Sequence, residues 1–171
     1  MELTGKTLLV AGGEGFIGSH LVERLIEKRP EQIIIAGNYS SGLSDSLDQA
    51  KSIFPGIVVN ICDATDFDLL AEVFQLYNID IVFNLAVVSL PISLERPEFA
   101  ITTNVAITVN LCRLLRAEKY QRLIQFSSSE AFGSLHQVPM DENHPLNPIT
   151  AYGASKAATD FIALSYWRTY G

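Results

Sequence analysis

The chain is predicted to adopt a doubly wound α/β fold, a parallel sheet with helices on both faces. Three observations carry this. Short apolar runs alternate with amphipathic stretches along the whole chain. The first apolar run leads straight into a glycine turn, with Gly12, Gly15 and Gly18 at three-residue spacing. Residues able to meet a ligand fall at the carboxyl ends of five candidate strands: Gly12–Gly18, Gly37–Gly42, Asp63, Leu85–Val87 and Ser127–Glu130. Ligands bind beyond those ends in such folds, near the point where strand order reverses.

Each element follows from its pattern. Leu8, Leu9, Val10 and Ala11 read as a strand buried on both faces. Residues 16–28 read as a helix ended by Pro30, with Ile17, Leu21, Leu25 and Ile26 on its apolar face. Residues 32–36 form a second strand, followed by the turn-forming GNYSSGLSDS and a short helix towards Ser52. Residues 56–61 form a third strand. Asp66 is placed to cap a helix over 67–77, whose apolar face is Leu69, Leu70, Val73 and Leu76. Residues 80–85 form a fourth strand. A loop with Pro91 and Pro97 leads into a long helix over 98–118, then a fifth strand over 122–127. The polar segment 133–148 reads as an ordered loop, and 150–170 as the last helix. Alternation of this kind means βαβ units with right-handed crossovers.

The charge balance narrows the partners. Twelve Lys and Arg against nineteen Asp and Glu leave a formal net charge of −7. That disfavours nonspecific binding to nucleic acid or to anionic membranes. No apolar run approaches the roughly 20 residues that span a bilayer. The start, MELTGKTLL, lacks a basic region followed by an apolar core. Cys62 and Cys112 show no metal-ligand spacing and read as reduced core thiols of a cytoplasmic protein.

Two constellations carry chemistry. Gly12–Gly18 joins a strand, a turn free of Cβ atoms and a helix N-terminus, which together suit a pyrophosphate. Tyr152 and Lys156 stand four residues apart near the start of the last helix and share a face. A tyrosine with the usual pKa of about 10 is a poor base at neutral pH. A nearby ammonium stabilises the phenolate and lowers that pKa. Ser128, at the end of the fifth strand, is placed to hold the hydroxyl that Tyr152 deprotonates.

The stretches GGEGFIGSHLV, NYSSG, CDATD, FNLAV, NVAITVNL, SSSEAFG, VPMDENHPLNP and YGASK, with Ser93 and Pro97, run over almost the whole chain. In that order and spacing they resemble the extended short-chain dehydrogenase/reductases, the NAD-dependent nucleotide-sugar epimerases and dehydratases. The resemblance implies a Rossmann-type domain over 1–171 that carries both the cofactor site and the catalytic residues. Gly12, Gly15, Phe16, Ile17 and Gly18 would hold the pyrophosphate. Asn38, Ser40 and Ser41 would lie near the adenosine ribose, and Asp63 and Ala64 near the adenine. Leu85, Ala86 and Val87 would line the way to the nicotinamide, with Asn104 supporting the site. Ser128, Tyr152 and Lys156 match the catalytic set; Tyr152 and Lys156 would also touch the cofactor, Lys156 at the nicotinamide ribose.

The implied reaction begins with oxidation of a sugar hydroxyl to a 4-keto sugar. Glu130, two residues after Ser128, matches a glutamate of many 4,6-dehydratases and decarboxylases and favours dehydratase over 4-epimerase. Two departures stand out. The family usually carries an acid at the end of the second strand, where this chain has Gly37. Losing it weakens the case for NAD, yet no Arg or Lys occurs from Pro30 to Ala50 to bind the 2′-phosphate of NADP, so NAD is expected. Family members are also considerably longer, so a C-terminal substrate domain is expected to be missing from this chain. The alternative is therefore a non-catalytic NAD-binding module, and within the enzyme reading the alternatives are a 4-epimerase and a nucleotide-sugar decarboxylase. A homodimer through the long helix and the Tyr152–Lys156 helix is the further expectation. Val105, Val109, Leu111 and Leu115 would supply apolar surface on one, and Ala157, Phe161, Ile162 and Leu164 on the other.

Overall fold

The structure is a computed structural model that describes residues 2–38 and 45–171. Within those residues the chain runs β1 (Thr7–Ala11), α1 (Phe16–Ile26), β2 (Gln32–Gly37), α2 (Asp48–Ile53), β3 (Ile57–Ile61), α3 (Phe67–Leu76), β4 (Ile81–Asn84), α4 (Leu90–Glu95), α5 (Pro97–Arg116), β5 (Arg122–Gln125) and α6 (Ala151–Tyr170). Two compact units emerge. One comprises Met1–Ala86 with Asn110–Gln125, the other Val87–Val109 with Phe126–Gly171.

The first unit holds a five-stranded, wholly parallel sheet in the order β3-β2-β1-β4-β5. The chain moves outward from β1 to β3, then crosses back to β4 and β5, so strand order reverses at β1. That reversal is where a doubly wound sheet opens its ligand crevice. Central Leu9 pairs with Ile34 on one side and Val82 on the other. Leu8–Ala11, Ile33–Ile35 and Val82 are fully buried, as strands covered on both faces require. The edge strands β3 and β5 are less covered. At the amino end of the sheet Asp80 accepts from Lys6 Nζ at 2.8 Å and from the Thr7 amide at 2.9 Å.

Two helices pack differently from expectation. In α1 the buried residues are Gly18, Ser19, Val22 and Leu25, while Ile17 is exposed. The cause is close packing at Gly18, where a Cβ would lie 2.2 Å from the Gly12 carbonyl oxygen. The helix meets the turn through its smallest residue, which rotates Ile17 outward. In α3, Leu70, Val73 and Phe74 are buried, and Leu69 and Leu76 are exposed. Phe74 takes the inner position because its ring packs 5.4 Å from that of Tyr120. Asp66 caps α3 as expected, accepting from the amides of Asp68 and Leu69.

In the second unit, the expected loop before the long helix contains α4, with Pro91 in its first turn where no amide donor is needed. Pro97 then opens α5. From Phe126 to Thr150 there is one 3-10 turn, Ser129–Ala131, and otherwise the expected loop. Thr150 caps α6, its hydroxyl accepting from the Gly153 amide at 3.0 Å. Of the apolar residues named on these two helices, Leu111 and Ala157 are buried within the chain, as burial of part of that surface was expected. Phe161 and Leu164 on α6 are exposed, as are Trp167 and Tyr170. Among the described residues no helix is long and apolar enough to cross a membrane.

Candidate functional site

In the first unit the glycine turn is built as a phosphate site would be. Gly12 has φ +75°, a conformation that favours glycine, and a Cβ there would lie 2.8 Å from the Ala86 amide nitrogen. The turn closes through the Gly15 amide, which donates to the Gly12 carbonyl at 3.1 Å. Gly15 is the N-cap of α1, and among the described residues no side chain caps it. The first amides of an 11-residue helix thus point outward with the positive end of the helix dipole. Phe16 and Ile17 flank them, exposed. This uncapped end, beside a turn too tight for side chains at Gly12 and Gly18, fits a pyrophosphate.

The loop carrying Asp63 is fixed by residues that sequence reasoning passed over. Buried Asn110 donates through Nδ2 to the Ala64 carbonyl at 3.0 Å and to the Thr65 carbonyl at 2.9 Å. The Arg113 guanidinium lies 3.5 Å over the Phe67 ring. Asp63 is exposed, and its Oδ1 accepts from both the amide and the hydroxyl of Thr65. Asn110 stands in the NVAITVNL stretch as a polar residue on an apolar length of helix, with no role of its own assigned there. Burial, with the nearby charges of Asp63, Asp66 and Glu72, pushes the Cys62 thiol up to about 11. Burial does the same to Cys112, also to about 11. Both therefore stay protonated, and no cluster able to hold a metal occurs among the described residues. Leu85 and Ala86 are half-buried beyond β4, and exposed Asn38 follows β2. Ser40 and Ser41 lie outside the described residues.

The second unit gathers Ser128, Glu130, Tyr152 and Lys156, because the segment after β5 is stitched to the first turns of α6. Lys156 is buried, and its Nζ donates to the Phe126 carbonyl at 2.5 Å. The Thr150 hydroxyl donates to Glu130 Oε2 at 3.2 Å. The Ser127 hydroxyl donates to Asp160. Ser128 caps the 3-10 turn, its Oγ accepting from the Glu130 amide at 3.2 Å. Tyr152 is half-buried in the first turn of α6, one helical turn before Lys156.

Burial lowers the Lys156 pKa, against the opposing pull of the Asp160 charge. Burial also raises that of Asp160, against the Ser127 hydrogen bond and the Lys156 charge. Asp160 was not foreseen, although its spacing four residues after Lys156 was there to be seen. Asn104 is buried. Its Oδ1 accepts from the Val88 amide at 2.7 Å, and its Nδ2 donates to Ser155 Oγ at 2.8 Å. It therefore positions the segment containing half-buried Val87 against α6.

Residues 9–171 match the family described as GDP-mannose 4,6 dehydratase. A dTDP-glucose 4,6-dehydratase of Neisseria gonorrhoeae is 34% identical over 193 residues, covering 99% of this chain and 53% of that protein. A protein of Methanocaldococcus jannaschii, provisionally named a UDP-glucose 4-epimerase, is 34% identical over 166 residues, covering 96% and 52%. The solved dTDP-glucose 4,6-dehydratase of Streptomyces venezuelae, with NAD bound, superposes with a TM-score of 0.88 at 31% identity, covering 96% and 52%. The chain spans about half the length of the curated relatives it matches. Its glycine turn, its parallel sheet and its Ser-Tyr-Lys set accord with this match, and the chain belongs to the GDP-mannose 4,6 dehydratase family, among the extended short-chain dehydrogenase/reductase epimerases and dehydratases.

Proposed function

We propose that the protein is an NAD-dependent nucleotide-sugar enzyme working through a 4-keto sugar, with 4,6-dehydration as its reaction. One observation carries this reading: Ser128, Glu130, Tyr152 and Lys156 are held together in one unit by the hydrogen bonds from Lys156 to Phe126 and from Thr150 to Glu130. In this reading Gly12, Gly15, Phe16, Ile17 and Gly18 bind the pyrophosphate, Asp63 and Ala64 the adenine, Asn38 the ribose, and Leu85, Ala86 and Val87 the approach to the nicotinamide. NAD, when bound, would take the hydride from the sugar C4 and give it back at C6 once water has been lost.

The chain's own groups do the rest. Tyr152, as phenolate, takes the proton of the sugar hydroxyl. The Lys156 ammonium favours that phenolate, and the Phe126 carbonyl fixes where the ammonium sits. The Ser128 hydroxyl donates to the sugar oxygen as it becomes a carbonyl. Glu130, beside the N-terminus of α6, is the acid or base for removal of the C5 proton and loss of water at C6. Exposed Phe161, Leu164 and Trp167 on α6, with Phe99 and Ile101 on α5, support a homodimer through these helices.

The test incubates the protein with NAD and a panel of dTDP-, UDP- and GDP-sugars and identifies products by NMR. A 4-keto-6-deoxy sugar supports dehydration, and an inverted C4 with no keto product replaces it with 4-epimerisation. Tyr152→Phe abolishes turnover while leaving NAD binding intact. No turnover on any sugar, with NAD still bound, makes the chain a binding module.

A further inference from the structure

The end of β2 is the one cofactor position at which this chain lacks the expected side chain. Gly37 is the last residue of β2 and bears no carboxylate. The space such a side chain would enter is filled from elsewhere. An ideal Cβ on Gly37 would lie 2.0 Å from Glu14 Oε1 and 2.3 Å from both Cδ and Oε2. The whole carboxyl group of Glu14 therefore sits over the Gly37 Cα. Glu14 belongs to the glycine turn, between Gly13 and Gly15, and is buried with a relative exposure of 6%. Its carbonyl oxygen accepts from the Ser46 hydroxyl at 2.8 Å, so backbone as well as side chain is fixed.

We propose that Glu14 is the ribose-binding acid of this protein, delivered to the end of β2 from the glycine turn in place of a β2 carboxylate, and that it sets the preference for NAD over NADP. The inference rests on the NAD reading above. An acid at this point accepts from the adenosine ribose hydroxyls and repels a 2′-phosphate. Charge-assisted hydrogen bonds of this kind are about twice as strong as neutral ones. The position also accounts for the glycine: an Asp at 37 would collide with Glu14 and set two carboxylates against each other. Residues 14 and 37 thus act as one unit, and no Lys or Arg from Pro30 to Ala50 competes for a phosphate.

The experiment is calorimetric titration of the purified protein and its variants with NAD and with NADP. Glu14→Gln keeps the shape and removes the charge, so NAD binding weakens about tenfold and the NAD-to-NADP ratio narrows by a similar factor. Glu14→Ala weakens NAD binding likewise, and adding Gly37→Asp to it restores binding to within about threefold of the unmodified protein. Gly37→Asp alone, with Glu14 in place, weakens it. Unchanged NAD affinity and ratio in Glu14→Gln overturn the proposal. So does a Gly37→Asp effect that is the same with and without Glu14.

Should Glu14→Gln fail to fold by circular dichroism, the unmodified protein decides: ADP-ribose must bind more tightly than its 2′-phosphorylated form, and equal affinity overturns the proposal. Failure of the unmodified protein to bind NAD at all removes the cofactor reading itself, a result distinct from a silent Glu14→Gln.

Discussion

Asn104→Ala is the sharpest test of how the second unit is held. Asn104 is 2% exposed and serves two elements at once. It accepts from the Val88 amide at 2.7 Å and donates to Ser155 Oγ at 2.8 Å, with a longer contact of 3.4 Å to the Val88 carbonyl. Truncation leaves the buried Val88 amide without its acceptor, which costs about 1–3 kcal/mol. The small cavity adds about 1 kcal/mol. Ser155 keeps its own bond to the Tyr152 carbonyl at 2.7 Å, so it adds little. The sum is about 2–4 kcal/mol, or a fall in Tm of about 6–12 °C for a chain of this size.

Differential scanning calorimetry reads this directly, with exposed Thr102→Ala on the same helix as the control, expected within about 0.5 kcal/mol. Asn104→Asp separates hydrogen bonding from volume. It keeps the acceptor but buries an ionisable acid, whose folded pKa is raised, so its stability falls as pH rises. An Asn104→Ala loss no greater than the Thr102→Ala control would refute the reasoning.

Other expectations follow from single contacts. Gly18→Ala places a Cβ 2.2 Å from the Gly12 carbonyl oxygen and 2.7 Å from the Gly13 Cα, backbone atoms that cannot step aside. It should cost about 3 kcal/mol or more in denaturant melts and abolish NAD binding. Asp160→Asn removes the charge that supports the Lys156 ammonium, so the Lys156 pKa, already lowered by burial, should fall further. A 13Cε titration of Lys156 reads this, and an unmoved midpoint would contradict it. Burial raises the Asp80 pKa, but Lys6 and the Thr7 amide outweigh it, and the net shift is downward. A lowered folded pKa gives stability at neutral pH that is lost as pH falls below the ordinary 3.8 through the folded value. Lys6→Met should flatten that acid limb and cost under about 1 kcal/mol at pH 7, since the pair is partly exposed.

The sheet was legible in the sequence because strands buried on both faces leave continuous apolar runs, as Leu8–Ala11 and Ile33–Ile35 do. Helix faces were less so. Ile17 follows the apolar spacing but is turned out by the Gly18 contact, and Phe74 displaces Leu76 because Tyr120 offers it a ring. The first depends on how closely Gly18 packs on the turn at Gly12, which the helical period does not carry, and the second on a partner distant in sequence. Tyr152 and Lys156 stand out in the sequence because their four-residue spacing is local, while Ser128, 24 residues earlier, was matched through the SSSEAFG stretch. Asn110 and the pairing of Glu14 with Gly37 could not, since each acts only through a neighbour that folding supplies, whereas Asp160 was within reach from its spacing four residues after Lys156. The serines at 40 and 41 fall outside the described residues and stay a sequence expectation.

The central proposal is that this chain binds NAD through its glycine turn. Calorimetric titration of the purified protein with NAD tests it most directly. Saturable one-to-one binding, lost in Gly18→Ala and retained in Tyr152→Phe, is the predicted result. No heat of binding from a protein that circular dichroism shows to be folded would contradict it.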